Sequence, residues 1–433
     1  MIALRKIRHE YSDLGMSVQE VIFDNGLTVY MVPRPHFKEK QVLLAVPFGS
    51  TSCAVSSENN DAGPLLGLAH FLEHKMFEMG DGKDALEEFT ALGVEANAFT
   101  TYQQTVYYFS TVNQINDAIT HLLQLIAECH FTEESVDRER SIIKNELLTY
   151  EDDSDYQMGR ALLANLYPHS ALSYDIAGNK ESIDRITVSD LMRAHQIFYA
   201  FNQLNMVIVG DFDVDKAVNE VDNFVKNTVN KEFDKRPINS MSLNTNPQEV
   251  VNSSRLVMDV AQPKLGLGFR ILKELEGVSL TDYKLGLRLF LAMVFGWTSE
   301  TYQDWYDKGI IDYTFDYHLE VTQSYSFVTM TLDTNQPIAM TRNIKRLLQT
   351  YSNHQDFSEE HLSLLKKEMY GDFISSLDSI DHLAHNVTLS LADGADYLAT
   401  GDAIRRISLS DVKTIADHFV SNMEVTTVTI FPK

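Results

Sequence analysis

Within "GLAHFLEHKMFE", residues 67–78, stand His70, Glu73 and His74. Histidines four apart on a helix lie one turn apart on the same face. Two imidazoles so placed can converge on one divalent ion at Zn–N distances of about 2.0–2.1 Å. Glu73 sits on a neighbouring flank, where it can reach a water beside such an ion rather than the ion itself. Leu68, Phe71, Leu72 and Phe77 surround these groups, so the segment reads as buried. Burying three ionisable side chains costs several kcal/mol or more unless they find partners. The chain must therefore supply a compensating group elsewhere. A catalytic zinc normally keeps three protein ligands and one open position, so a third ligand is expected.

Residues 133–150, "EESVDRERSIIKNELLTY", provide a candidate. At 100° per residue, Val136, Glu139, Ile143, Glu146 and Tyr150 fall within a stripe of about 80°. Asp137, Arg138, Arg140 and Lys144 take the other sides. Two carboxylates on an apolar stripe with no cation of their own meet a cation from another element, or else the helix is rotated enough to wet both.

The elements that hold these residues show an internal repeat. "IDRITVSDLMRAHQIF" (183–198) and "IRRISLSDVKTIADHF" (404–419) are offset by 221 residues. Thr187 with Asp190, and Ser408 with Asp411, form capping-box patterns that open a helix. Apolar faces follow (Leu191, Ala194 and Phe198; Val412, Ile415, Ala416 and Phe419), then β-branched runs at 206–210 and 425–431. This predicts two homologous αβ halves: an N-terminal domain over 1–229 with the metal site, a polar linker over 230–254 with two prolines, and a C-terminal domain over 255–433 without one. Strands are expected within 41–50, 105–112, 254–260 and 324–332. Helices are expected near 65–78, 83–92, 114–129 and 133–150. Residues 95–109 read as a turn followed by an extended strand. The interleaving is that of an α/β, or layered α+β, fold.

Composition narrows the function. The 433 residues are 44% hydrophobic and 22% charged, with a net charge of −25. So acidic a chain is a poor nucleic-acid binder, because phosphate calls for a basic surface. Cys53 and Cys129 are the two cysteines. They indicate neither a disulfide framework nor a thiolate metal site and suit a reducing cytoplasm. No apolar run approaches the roughly 18 residues of a membrane span.

The order H-x-x-E-H reverses the commoner H-E-x-x-H zinc motif. With "LGVEANAFTTYQQTVYYF", "DRERSIIKNELLTYEDD", "IAGNKESIDRIT" and "NMVIVGDFD", it makes the chain resemble, over nearly its whole length, the pitrilysin and mitochondrial-processing-peptidase family of inverted-zincin metallopeptidases. The resemblance implies one Zn2+ per chain held by His70, His74 and Glu146. It also implies Glu73 as general base, Glu139 as a supporting carboxylate, and a substrate strand paired beside Asn97 and Ala98. The fold implied is one lobe of a clam-shell peptidase, built from two αβ halves of about 220 residues. The expected activity is endopeptidase hydrolysis of short or unfolded peptides. Non-catalytic core proteins of the same family supply the alternative, a scaffold or peptide-binding subunit.

One departure bears on partners. Active members of that family carry an arginine and, seven residues later, a tyrosine in a segment similar to "GWTSETYQDWYDKGIIDY" (296–313). Tyr313 matches the tyrosine, but Tyr306 stands where the arginine belongs. Tyrosine offers neither a fixed positive charge nor a bidentate fork. The expectation is a heterodimer in which this chain is the zinc subunit and a homologous partner brings the arginine–tyrosine pair. The other reading is that Tyr306 is tolerated or that Lys308 substitutes.

Overall fold

The structure is a computed structural model of the chain and describes residues 5–52, 64–80, 84–227, 248–272 and 275–433. Cys53 and residues 230–247 of the expected linker lie outside the described residues. The described residues group into two compact units, one drawn from Met1–Leu147, Asp175–Ser242 and Ser376–Leu398, the other from Leu148–Tyr174, Leu243–Ser375 and Ala399–Lys433.

In the first unit, β1 (Arg5–Tyr11), β2 (Met16–Ile22), β3 (Thr28–Pro33), β4 (Lys40–Val46), β5 (Glu95–Thr100), β6 (Thr105–Thr111) and β7 (Asn205–Gly210) form one sheet. Its order is β1-β2-β3-β7-β4-β6-β5, with β3 and β7 parallel and β5 at an edge. In the second unit, β8 (Ser253–Met258), β9 (Lys264–Ile271), β10 (Asp316–Val321), β11 (Ser326–Asp333) and β12 (Met423–Pro432) order as β10-β11-β9-β12-β8. Read from the parallel pair, β3-β7-β4-β6-β5 and β8-β12-β9-β11-β10 share one topology. The repeat seen in sequence is thus a repeat of fold, and the first unit adds the β1–β2 hairpin.

Both capping boxes form. Thr187 and Ser408 accept hydrogen bonds from the amides of Asp190 and Asp411, whose carboxylates reach back to the cap amides. The helices are α1 (Leu68–Met76), α2 (Ala85–Ala91), α3 (Ile115–Ala127), α4 (Glu133–Asp152), α5 (Ser154–Leu166), α6 (Lys180–Arg185), α7 (Val188–Phe198), α8 (Val214–Asn227), α9 (Leu280–Phe295), α10 (Glu300–Asp307), α11 (Pro337–Thr350), α12 (Glu359–Leu377), α13 (Ile380–Ala392), α14 (Thr400–Arg406) and α15 (Leu409–Asn422). Two of them are exchanged between the halves. α5, early in the chain, packs on β9 and β12 of the second unit, whereas α13, late in the chain, packs on β4 and β7 of the first. These strand pairs are equivalent in the shared topology, so each unit completes its sheet with the other half's helix.

Residues 95–109 differ from the expected turn and strand: they are a hairpin of β5 and β6, in register Asn97↔Tyr108 and Ala98↔Tyr107. Ala-Asn-Ala carries little β propensity, and pairing with the aromatic β6 makes it a strand. Successive side chains on β6 point to opposite faces. Tyr107 is buried on the α1 face, sharing a hydrogen bond with Tyr199 of 2.7 Å. Tyr108 meets His385 of α13 on the other. No helix among the described residues is long and apolar enough to cross a membrane.

Candidate metal centre

α1 starts from Gly67, whose backbone is left-handed with φ of 83°. A Cβ there would stand 2.4 Å from the Ala177 carbonyl oxygen, and one on Gly178 2.5 Å from that of Leu66. The two segments meet backbone to backbone, which glycine alone permits. Leu68, Phe71 and Leu72 are fully buried in the first unit's core. That anchoring turns His70 and His74 toward α4. On α4, Val136 and Ile143 are buried beside Glu139 and Glu146, whose side chains remain 17% and 28% exposed. The helix is rotated as the stripe requires, and both carboxylates face the histidines.

His70 Nε2 lies 3.8 Å from Glu146 Oε1, and His74 Nε2 lies 3.8 Å from Glu146 Oε2. His70, His74 and Glu146 offer ligand atoms that all fall within 4.8 Å of one another. Tetrahedral bonds of about 2.05 Å place ligand atoms about 3.3 Å apart, so each of the two 3.8 Å separations would shorten by about half an ångström around an ion. Glu139 Oε1 accepts from His74 Nδ1 at 2.9 Å. That bond fixes the tautomer in which Nε2 carries the lone pair, the carboxylate–histidine arrangement usual behind a zinc ligand. His70 Nδ1 is buried and makes no hydrogen bond among the described residues. Two imidazole nitrogens and a carboxylate are the donor set of a catalytic zinc, and they fit one here.

Charge follows burial. Desolvation, with His74 beside it, lowers the His70 pKa to about 4, so the ring is a neutral ligand at physiological pH. Burial works the same way on His74, but the hydrogen bond to Glu139 and the charges of Glu73, Glu139 and Glu146 outweigh it and raise its pKa. The bond from His74 holds Glu139 below its ordinary value against the effect of burial. Glu73 is 8% exposed, and burial raises its pKa, opposed by a hydrogen bond from Thr100. Thr100 Oγ1 donates to Glu73 Oε2 at 2.5 Å.

Thr100 was not among the residues singled out from sequence. Its signal was present: Ala96, Ala98 and Thr100 share one face of β5, and the last is the polar one. Asn97 and Ala98 lie on that same strand, whose outer edge pairs with no other strand among the described residues. The Ala98 amide is covered by Asn97 Oδ1 at 2.8 Å, so a strand arriving at the edge must displace this contact to use the amide. In the second unit, Tyr306 on α10 is 52% exposed and stacks on Tyr302, and Tyr313 is 89% exposed. Lys308 forms an exposed ion pair with Asp304, one helical turn back, at 2.6 Å.

Comparison with known proteins agrees with the site. Residues 42–180 match the family model described as Insulinase (Peptidase family M16), and residues 185–369 match Peptidase M16 inactive domain. The uncharacterized zinc protease YmfH of Bacillus subtilis is 27% identical over 98% of this chain and 99% of its own length. A protease from Helicobacter pylori has the same fold, with a TM-score of 0.83 at 18% identity over 96% of this chain and 99% of that one. Pitrilysin superposes with a TM-score of 0.71 at 19% identity, covering 100% of this chain and 47% of its own. The two homologous αβ units are thus the fold of one pitrilysin lobe, and the chain belongs to peptidase family M16.

Proposed function

We propose that the protein is a zinc endopeptidase that hydrolyses short or unfolded peptides. The observation that carries this reading is the convergence of His70, His74 and Glu146, with Glu73 between the two histidines and held by Thr100. His70, His74 and Glu146 would hold the ion. A divalent ion so placed lowers the pKa of water toward 7 and polarises a carbonyl. The chain's own residues do the rest. Glu73 takes the proton of the attacking water and returns it to the leaving amine. Burial raises its pKa, the direction in which a carboxylate that both takes and returns a proton is tuned. Thr100 aims the carboxylate, and Glu139 keeps His74 turned toward the ion. The β5 edge at Asn97 and Ala98 takes up substrate as an added strand, reading backbone more than sequence.

The same reading makes this chain the zinc-bearing partner of a two-subunit enzyme acting in the cytoplasm. Support comes from Tyr306, which stands in the arginine position and brings no fixed positive charge. The test is metal analysis of the purified chain, then digestion of a peptide library with and without chelator, alone and with a co-purified homologue. Cleavage that survives complete metal removal ends the zinc reading. Full activity of the lone chain ends the two-subunit one.

A further inference from the structure

Directly after His74 the chain buries a cation. Lys75 is 1% exposed, and nothing in the proposed chemistry uses it. Its Nζ donates to Ser135 Oγ at 3.0 Å and pairs with Glu78, itself 3.5 Å from Arg138. The Phe131 ring centroid lies 6.0 Å from the same nitrogen. A methionine would fill the site without desolvating a charge, and a buried ion pair is a weak source of stability. The use of this lysine must lie in what it joins.

Ser135 belongs to the first turn of α4. Its hydroxyl donates to the Thr132 carbonyl at 3.1 Å and accepts from the Thr132 amide at 3.2 Å. At 100° per residue, Ser135, Glu139 and Glu146 fall within about 40° of one another around that helix. Lys75–Ser135, His74–Glu139 and the pair of histidines with Glu146 are therefore successive ties along one seam between α1 and α4. We infer that Lys75 is a positioning residue that sets the rotation of α4 against α1, so that Glu139 and Glu146 meet His74 and His70. A helix rotation of 10° moves a side-chain tip about 1 Å at a radius of roughly 5–6 Å. Metal ligation tolerates about half that.

The inference rests on the zinc reading, and the experiment separates the two. Zinc affinity by chelator competition, the visible spectrum of the Co2+-loaded protein and the melting temperature of the metal-free protein are measured for wild type, Lys75→Met, Lys75→Met with Glu78→Gln, and Ser135→Ala. Loss of a direct outer partner of a metal ligand weakens binding by about 10- to 100-fold, and Lys75 acts one bond further out, through the helix that carries Glu139 and Glu146. The double variant is expected to bind zinc at least tenfold more weakly and to shift its Co2+ bands, yet to melt near wild type without metal. Ser135→Ala is expected to show the same change to a smaller degree, and it decides the matter if the lysine variants do not fold. Wild-type affinity and Co2+ spectrum in the variants that fold overturn the assignment. So does a loss of affinity that only parallels a loss of metal-free stability. A wild-type chain that takes up no zinc fails the underlying reading and this one with it.

Discussion

Thr100→Val removes one hydroxyl from the edge of β5 and leaves a β-branched residue of nearly the same shape. In the structure that hydroxyl donates to Glu73 at 2.5 Å and lies 3.2 Å from the Thr105 hydroxyl. Thr105 keeps its own bond to the Phe48 carbonyl at 2.8 Å, so the strand does not depend on Thr100. The Glu73 pKa is already raised by burial, and the Thr100 bond is what opposes it. Without that bond the carboxylate holds its proton to higher pH, and the acid limb of kcat/KM moves upward. A hydrogen bond to a charged group is worth about 1.5–3 kcal/mol, which is about a 10- to 100-fold change in proton affinity. On the acid limb the variant should be slower by that factor, and on the alkaline side the two profiles should converge. The assay is initial rates on a quenched fluorescent peptide across pH, with zinc saturating and Thr100→Ser as the control that restores the hydroxyl. Superimposable profiles would refute the reasoning, and a constant deficit at every pH would assign Thr100 to geometry alone.

Other outcomes are open to direct measurement. Glu73→Gln should retain stoichiometric zinc and lose peptide hydrolysis; normal turnover would remove Glu73 as the base. Glu139→Gln, which weakens the 2.9 Å bond to His74, should reduce zinc affinity about 10- to 100-fold, read by competition titration. Gly67→Ala, at φ of 83° and with Ala177 O in the way, should cost on the order of 2 kcal/mol or more in urea unfolding of the metal-free protein. Ser408→Ala should cost about 1 kcal/mol at neutral pH through the lost helix cap. Asp411 is held below its ordinary value of 3.8, first by the Ser408 hydroxyl and then by its amide. Its contribution is complete above pH 3.8 and lost as pH falls through the lower folded value. Thermal melts of wild type and Ser408→Ala should therefore draw together below that pH.

Local chemistry in the chain was enough to show the helical spacing of His70 and His74, the inward stripe carrying Glu139 and Glu146, and both capping boxes. Each is a pattern within one element, governed by the period of its own backbone. The similar order of the two sheets was legible only as a repeat of one helix and one strand. What needed the folded chain were relations between distant segments. Gly67 and Gly178 carry no mark of each other in the sequence, whereas in the structure they are the close approach that seats α1. The exchange of α5 and α13 between the sheets has no local mark, because an amphipathic helix carries a face but no address. Lys75 has no local mark either, and Thr100 has only the faint one of a polar residue on its face of the strand. A hydroxyl on a strand and a lysine on a helix are commonplace until packing half-buries Thr100 beside Glu73 and fully buries Lys75 against Ser135. Backbone periodicity decides which groups a segment presents, and only close packing decides which of them meet.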